Sequence, residues 1–171
     1  MEQLIIQAQN RDTNAFAELM RIHRQSMYRV AKSYLKNDDD AADAIQDTIL
    51  TCFEKLKSLR SPEHFKTWLT KILINKCNDI LKRKKRFISL DEIPEKGCAD
   101  TGQSNIEFMM FLDSLDDSCR TVLVLRYGEC LSVKEISQVL GISENAVKKR
   151  LERSREKVKT TYTTCELGGK L

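Results

Sequence analysis

The sequence is short of what sheets and turns are built from: two prolines, six glycines and 6% aromatic residues in 171 positions. With 41% apolar and 32% charged residues, that scarcity points to an all-α protein. No apolar run approaches the roughly eighteen residues of a bilayer span. The opening MEQLIIQAQNRD has no basic region leading into an apolar one, so the expected location is cytoplasmic. The six cysteines (Cys52, Cys77, Cys98, Cys119, Cys130 and Cys165) form no C-x-x-C pair, which argues against a zinc cluster or a thioredoxin-type site. Cys52 and Cys77 fall at apolar helix positions and read as small core residues of a reduced compartment, whereas Cys98 and Cys165 fall in loop or tail. Histidine is scarcer still: His23 and His64 stand in ordinary helical and turn settings, without a second ligand at metal-binding spacing. A Gly-rich phosphate loop, an H-E-x-x-H motif and a nucleophile with its base are all missing, so neither enzymatic chemistry nor any cofactor or metal is expected.

What is present is helical periodicity and basic charge. The net charge is +4, which suits a polyanionic partner without naming one. After a weak opening turn, a helical pattern runs from Asn14 with Phe16, Leu19, Met20, Met27, Val30, Ala31, Tyr34 and Leu35 near one face. Asp38, Asp39 and Asp40 then cap and complement a second helix whose expected buried stripe is Ile45, Ile49, Cys52, Phe53 and Leu56. Its other face carries Asp43, Gln46, Asp47 and Glu54, and periodicity alone reads that face as solvated. A break at SLRSPEH places Ser61 as N-cap and Pro62 at the first helical position of a third helix. There Phe65, Trp68, Leu69, Ile72, Leu73, Cys77 and Ile80 form the expected inner stripe, with Trp68 as a core anchor and the run Lys82 to Arg86 at the end.

The pattern fails over 87–105, where Pro94, Gly97 and Gly102 mark a flexible linker with an acidic balance. It divides the chain into two small helical domains, 1–86 and 106–165. In the second, FMMFLDSL and DDSCRTVLVLRYGECL read as two helices parted near 114–117. Next comes SVKEISQVLGISENAVKKRLERSREKVK. Ser132 with Glu135 is a capping box, Gly141 closes the first helix, and Ser143 opens the second. Val133, Ile136, Val139 and Leu140, then Ala146, Val147, Leu151 and Val158, are the apolar stripes, with Ile142 over the small core. The second helix sets Lys148, Lys149, Arg150, Arg153, Arg155, Lys157 and Lys159 against only Glu144, Glu152 and Glu156. This reads as a helix-turn-helix, a geometry that lays its second helix in the DNA major groove. The charge count alone would equally suit a solvated surface helix; the capping box, the Gly turn and the two apolar stripes favour the DNA reading.

Taken together, these stretches resemble the extracytoplasmic-function (ECF) group of bacterial sigma factors in the sigma-70 family. Four motifs carry the resemblance: DAADAIQDTIL, FKTWLTKILINKCNDILKRKKR, LDSLDDSCRTVLVLRYGECLSVKEISQVLG and the helix-turn-helix. The resemblance implies a promoter-specificity subunit, with a region 2-like bundle over 1–86 and a region 4-like domain over 106–165. Its partners would be core RNA polymerase, promoter DNA and an anti-sigma factor, the last membrane-anchored in many relatives, and it would be a monomer when free. Asp43, Gln46 and Asp47 would dock on polymerase, which reverses the solvated reading of that face. Ser58, Leu59, Arg60, Ser61 and Asn75, with Lys82 and Arg83, would hold the -10 element as single strand with a base flipped into a pocket. Lys148, Lys149, Glu152 and Arg153 would read the -35 element and hold its phosphates. The linker would pass near the polymerase active-site channel, its acids mimicking nucleic acid.

Two departures stand out. Relatives commonly place Arg three residues beyond the Asp of the third helix, whereas here Asp79 is followed by Lys82 and then Arg83. Ala146-Val147-Lys148-Lys149 replaces the Thr-Val-[KR]-Ser frequent in recognition helices, a change that bears on promoter preference. The rival is a self-contained helix-turn-helix repressor or activator, which would be a homodimer on a palindromic site.

Overall fold

Side chains that satisfy the first free N–H groups set the helix boundaries in this protein. The computed structural model describes residues 1–35, 37–87 and 115–167, and side chains only to 85 and 157 in the last two segments. Regular structure among the described residues is helical throughout, in two compact units, Met1–Gly97 and Cys98–Leu171. The expected linker beyond 87 and the expected helix across 108–114 lie outside the described residues, as do the side chains of Val158 and Lys159.

In the first unit the opening stretch is a regular helix, α1 (Glu2–Gln9), rather than the weak turn that its pattern suggested. Ile5 and Ala8 bury its inner face. The side chain of Asp12 then caps α2 (Thr13–Tyr34), accepting from the N–H groups of Asn14 and Ala15 at 2.9 and 3.0 Å. For α3 (Asp38–Lys55) the cap is Asn37, which accepts from Asp39 and Asp40 N–H at 2.7 and 3.3 Å. The three aspartates thus fill the first turn, where they face the positive end of the helix dipole. Two single 3-10 turns, Leu56–Ser58 and Pro62–His64, lead into α4 (Phe65–Phe87). Ser61 precedes the second turn without a side-chain capping bond, its carbonyl accepting from His64 N–H at 3.0 Å, and Pro62 supplies the fixed φ of the first position.

The α3 stripe differs from the expected one. Ala41, Ala44, Thr48, Cys52 and Leu56 are buried, Ile45 and Ile49 are half-buried, and Phe53 and Leu50 are 54% and 63% exposed. Small side chains let α3 lie close to α2 and α4, which turns the bulkier residues outward. On α4, Phe65, Leu69, Leu73, Ile74, Cys77 and Ile80 are buried, while Trp68 is only half-buried, with its ring 6.0 Å from that of Phe65. Burial pushes the Cys52 and Cys77 thiols up to about 12, as befits core residues with no thiolate chemistry. At the α2–α3 corner, Tyr28 O–H donates to Asp38 at 2.9 Å and Lys32 bonds the same carboxylate at 2.8 Å. The Lys32 hydrogen bond is the chief reason that this carboxyl sits below its ordinary range. Lys84 pairs with Asp40, tying the basic end of α4 to the start of α3.

In the second unit Asp116 caps α5 (Asp117–Leu123) by accepting from Ser118 O–H at 2.6 Å and Cys119 N–H at 3.0 Å. These bonds hold its carboxyl well below the usual range, Ser118 contributing most. The helix continues as one wider turn, Val124–Gly128, closed by the Glu129 N–H on the Val124 carbonyl at 2.9 Å. The capping box of Ser132 and Glu135 is formed in full and starts α6 (Val133–Leu140), and Gly141 ends it at φ 65°. Ser143 Oγ accepts from Ala146 N–H at 3.2 Å at the head of α7 (Glu144–Leu167). Val122, Leu125, Leu131, Ile136, Val139, Val147 and Leu151 pack between these helices. Val133, Leu140, Ile142 and Ala146 are half-buried at the margin of that core.

Among the described residues, two other than glycine stand in the left-handed region, Arg11 at φ 68° and Cys130 at φ 56°. Each is exposed and ends a helical segment, so the strain brings no packing in return. Arg11→Gly and Cys130→Gly should each stabilise their unit by roughly 0.5–1 kcal/mol, part of the relief being offset by the freer unfolded glycine. A thermal midpoint that falls in both variants would contradict this.

Candidate nucleic-acid interface

On α7, Val147, Leu151 and Ser154 face inward, and Ser154 satisfies its own hydroxyl on the Arg150 carbonyl at 2.7 Å. The sequence stripe missed Ser154 because it counted only apolar residues. Fixing that face leaves Lys148, Lys149, Glu152, Arg153, Arg155, Glu156 and Lys157 exposed, with Arg150 half-buried. All four residues expected to meet the -35 element are therefore open to solvent. Lys148, Glu152, Arg155 and Glu156 line one shallow depression. Arg155 has a feature that periodicity could not show. Its Nε and Nη2 groups donate to the Tyr127 hydroxyl at 3.1 and 2.9 Å. Tyr127 comes from the wider turn after α5, so that turn bonds a cation of α7. Nη1 takes no part in those two bonds, and Arg155 is exposed, an arrangement in which a guanidinium can also meet a phosphate oxygen.

In the first unit, α4 carries Lys71, Asn75, Asp79 and Lys82 exposed along one side, with Trp68, Ile72 and Asn78 half-buried beside them. Asn75 is exposed, and so are Arg83, Lys84 and Lys85. A helix with an exposed amide, an aromatic edge and a basic end can meet an unstacked base and its phosphates. The segment before α4 is held differently from one residue to the next. Ser58 and Arg60 are exposed and Ser61 is half-buried, whereas Leu59 is buried. The Leu59 side chain is thus an anchor of the loop, and its carbonyl accepts from Gln9 Nε2 at 2.8 Å.

The third surface is the outer side of α3, where Asp43, Gln46 and Asp47 are exposed in one helical row. Leu50 and Phe53 continue that row, and the Phe53 ring meets Phe16 edge-on at 5.1 Å. An acidic helix face that runs into uncovered leucine and phenylalanine can be covered by a protein partner. The sequence reading placed Phe53 in the core and so missed this apolar half. Among the described residues no cluster of His, Cys, Asp and Glu is arranged to hold a metal, and no helix is long and apolar enough to cross a membrane.

Comparison with known proteins matches both halves of the chain. The family model for sigma-70 region 2 matches residues 19–87, and that for sigma-70 region 4 matches residues 106–158. The chain is 34% identical over 149 residues to the RNA polymerase sigma factor SigV of Bacillus subtilis, covering 85% of this chain and 89% of that protein. It is 29% identical over 171 residues to the ECF RNA polymerase sigma factor SigW of the same organism, covering 89% and 91%. Among solved structures, CnrH in complex with the cytosolic domain of CnrY superimposes with a TM-score of 0.68 at 26% identity, covering 95% of this chain and 97% of that one.

Proposed function

The chain belongs to the ECF group of sigma-70 RNA polymerase sigma factors, and from that premise we propose how its exposed surfaces divide the work of promoter selection. It is an alternative sigma factor that binds core RNA polymerase and directs transcription initiation at its promoters. The first unit docks on core through α3, with Asp43, Gln46 and Asp47 supplying charge and Leu50 and Phe53 supplying apolar area. The same unit holds the opened -10 strand along α4: Asn75 meets the extruded base, Ser58, Arg60 and Ser61 border it, and Lys82 and Arg83 hold phosphates. Leu59 serves by anchoring that border, since its side chain is buried. The second unit reads the -35 duplex with Lys148, Lys149, Glu152 and Arg153, and Arg155 adds a phosphate contact from its seat on Tyr127.

The observation that carries this assignment is the exposure of three chemically distinct surfaces, acidic-apolar on α3, amide-basic on α4 and basic on α7. The work is binding and strand opening, without covalent chemistry and without a cofactor. It takes place in the cytoplasm, where core polymerase acts. An anti-sigma factor is a further partner; the CnrH structure holding the cytosolic domain of CnrY supports this. Domains over 1–86 and 106–165 joined by a linker remain our division of labour. Family membership leaves the self-contained repressor without support.

The test is transcription in vitro with purified core enzyme on a promoter library. Promoter-specific transcripts that require this chain are expected, and failure to bind core would end the assignment. Within it, Lys148→Ala should weaken -35 binding several-fold and lower the slope of log affinity against log salt by about 1. An unchanged slope would remove Lys148 from the phosphate contacts.

A further inference from the structure

The loop between α3 and α4 is short and exposed at Ser58 and Arg60, yet its backbone is tied by several hydrogen bonds. Some are local: Ser58 Oγ donates to the Lys55 carbonyl at 2.7 Å, and Leu59 N–H donates to the Leu56 carbonyl at 3.1 Å. The remaining constraint comes from the far end of α1. Gln9 Nε2 donates to the Leu56 carbonyl at 3.1 Å and to the Leu59 carbonyl at 2.8 Å. One amide group therefore spans the loop and uses both of its N–H bonds on backbone oxygens. Two carbonyls can be met only by the NH2 side of the amide, so the chemistry fixes its orientation.

The seat of Gln9 is itself built. Ile5 is 1% exposed and Ala8 is 8% exposed, which fixes α1 beneath the loop. Gln9 is the last residue of α1, and Asn10 follows as its C-cap, so the helix ends with the Gln9 side chain against the Leu56–Leu59 backbone. Gln9 also lies outside residues 19–87, the span matched by the region 2 family model.

We infer that Gln9 is the positioning residue of the -10 specificity loop, holding Ser58, Arg60 and Ser61 in place for the extruded base without touching DNA. The inference rests on the proposed role of that loop. A loop ordered before binding discriminates between bases, because its geometry is already set when the base arrives. A loop that must be ordered by the base accepts several bases with little difference. Loss of the clamp should therefore flatten base preference and leave the other surfaces intact.

The experiment uses the full chain with core enzyme and a promoter selected by the wild type, remade with each of the four bases at the extruded position. Gln9→Met keeps the length of the side chain and removes its donors. Gln9→Glu keeps the shape and sets an acceptor against two carbonyls. Gln9→Lys restores donors. The Met and Glu variants should lose on the order of tenfold in preference for the cognate base, with core affinity and -35 duplex binding unchanged, and Lys should recover most of it. Wild-type preference in both Met and Glu variants would overturn the inference, as would a loss of core affinity equal to the loss of preference. Failure of the wild type itself to initiate with core would overturn the loop assignment beneath it.

Discussion

Leu50→Glu weakens binding to core RNA polymerase by roughly 30-fold or more, the scale of a hot-spot residue at the centre of a protein interface. Leu50 is 63% exposed on α3, one turn beyond Gln46 and Asp47, so the free protein loses almost no packing when it is replaced. If polymerase covers that side chain as proposed, a carboxylate there must be stripped of water. Phe53 contributes in the same way but also leans on Phe16, so its replacement mixes binding with stability. Asp47→Lys should act differently, slowing association and making it less sensitive to salt, since a rim charge steers more than it holds. Titration of labelled core enzyme separates the two variants, with thermal unfolding as the control. Equal affinity for wild type and Leu50→Glu would mean that polymerase docks elsewhere.

That surface shows where sequence reading stopped short. The features legible in advance were those made by neighbours in sequence. The Ser132–Glu135 capping box, Gly141 as the left-handed stop and Ser143 as the next cap each depend on residues no more than a turn apart. The choice of which α3 residues go inside does not depend on neighbours alone. Periodicity favoured Ile45, Ile49 and Phe53, but the close approach of α2 and α4 selected Ala41, Ala44 and Thr48 and turned Phe53 outward. The acidic row of Asp43, Gln46 and Asp47 was readable; its apolar continuation was not. Likewise the bonds of Gln9 to the loop and of Arg155 to Tyr127 join residues far apart in the chain, and no spacing rule reports them. Trp68 fell between the two cases. Its position on an apolar stripe was visible, but its half-exposure beside Lys71 depended on how α4 rolls against its neighbours.

Asn75→Ala reduces formation of the open promoter complex by about 10- to 100-fold, the range of one well-placed amide reading one base edge. The side chain stands outside the core on α4, so removing it costs the fold little. Core affinity should be unchanged, because Asn75 is on α4 and the proposed docking row is on α3. Binding to the -35 duplex should be unchanged as well, because that contact belongs to the second unit. The deficit should therefore appear where a base leaves the stack, a step that costs a few kcal/mol and needs a partner for the extruded base. A template already unpaired across the -10 element isolates that step. If Asn75 helps to open the strands, the alanine variant recovers most of its rate on the unpaired template while still failing to prefer the cognate base. If it serves only as a contact after opening, the rate stays low on both templates. A fall in core affinity would show instead that Asn75 supports the polymerase interface, and the division of labour between α3 and α4 would have to be redrawn.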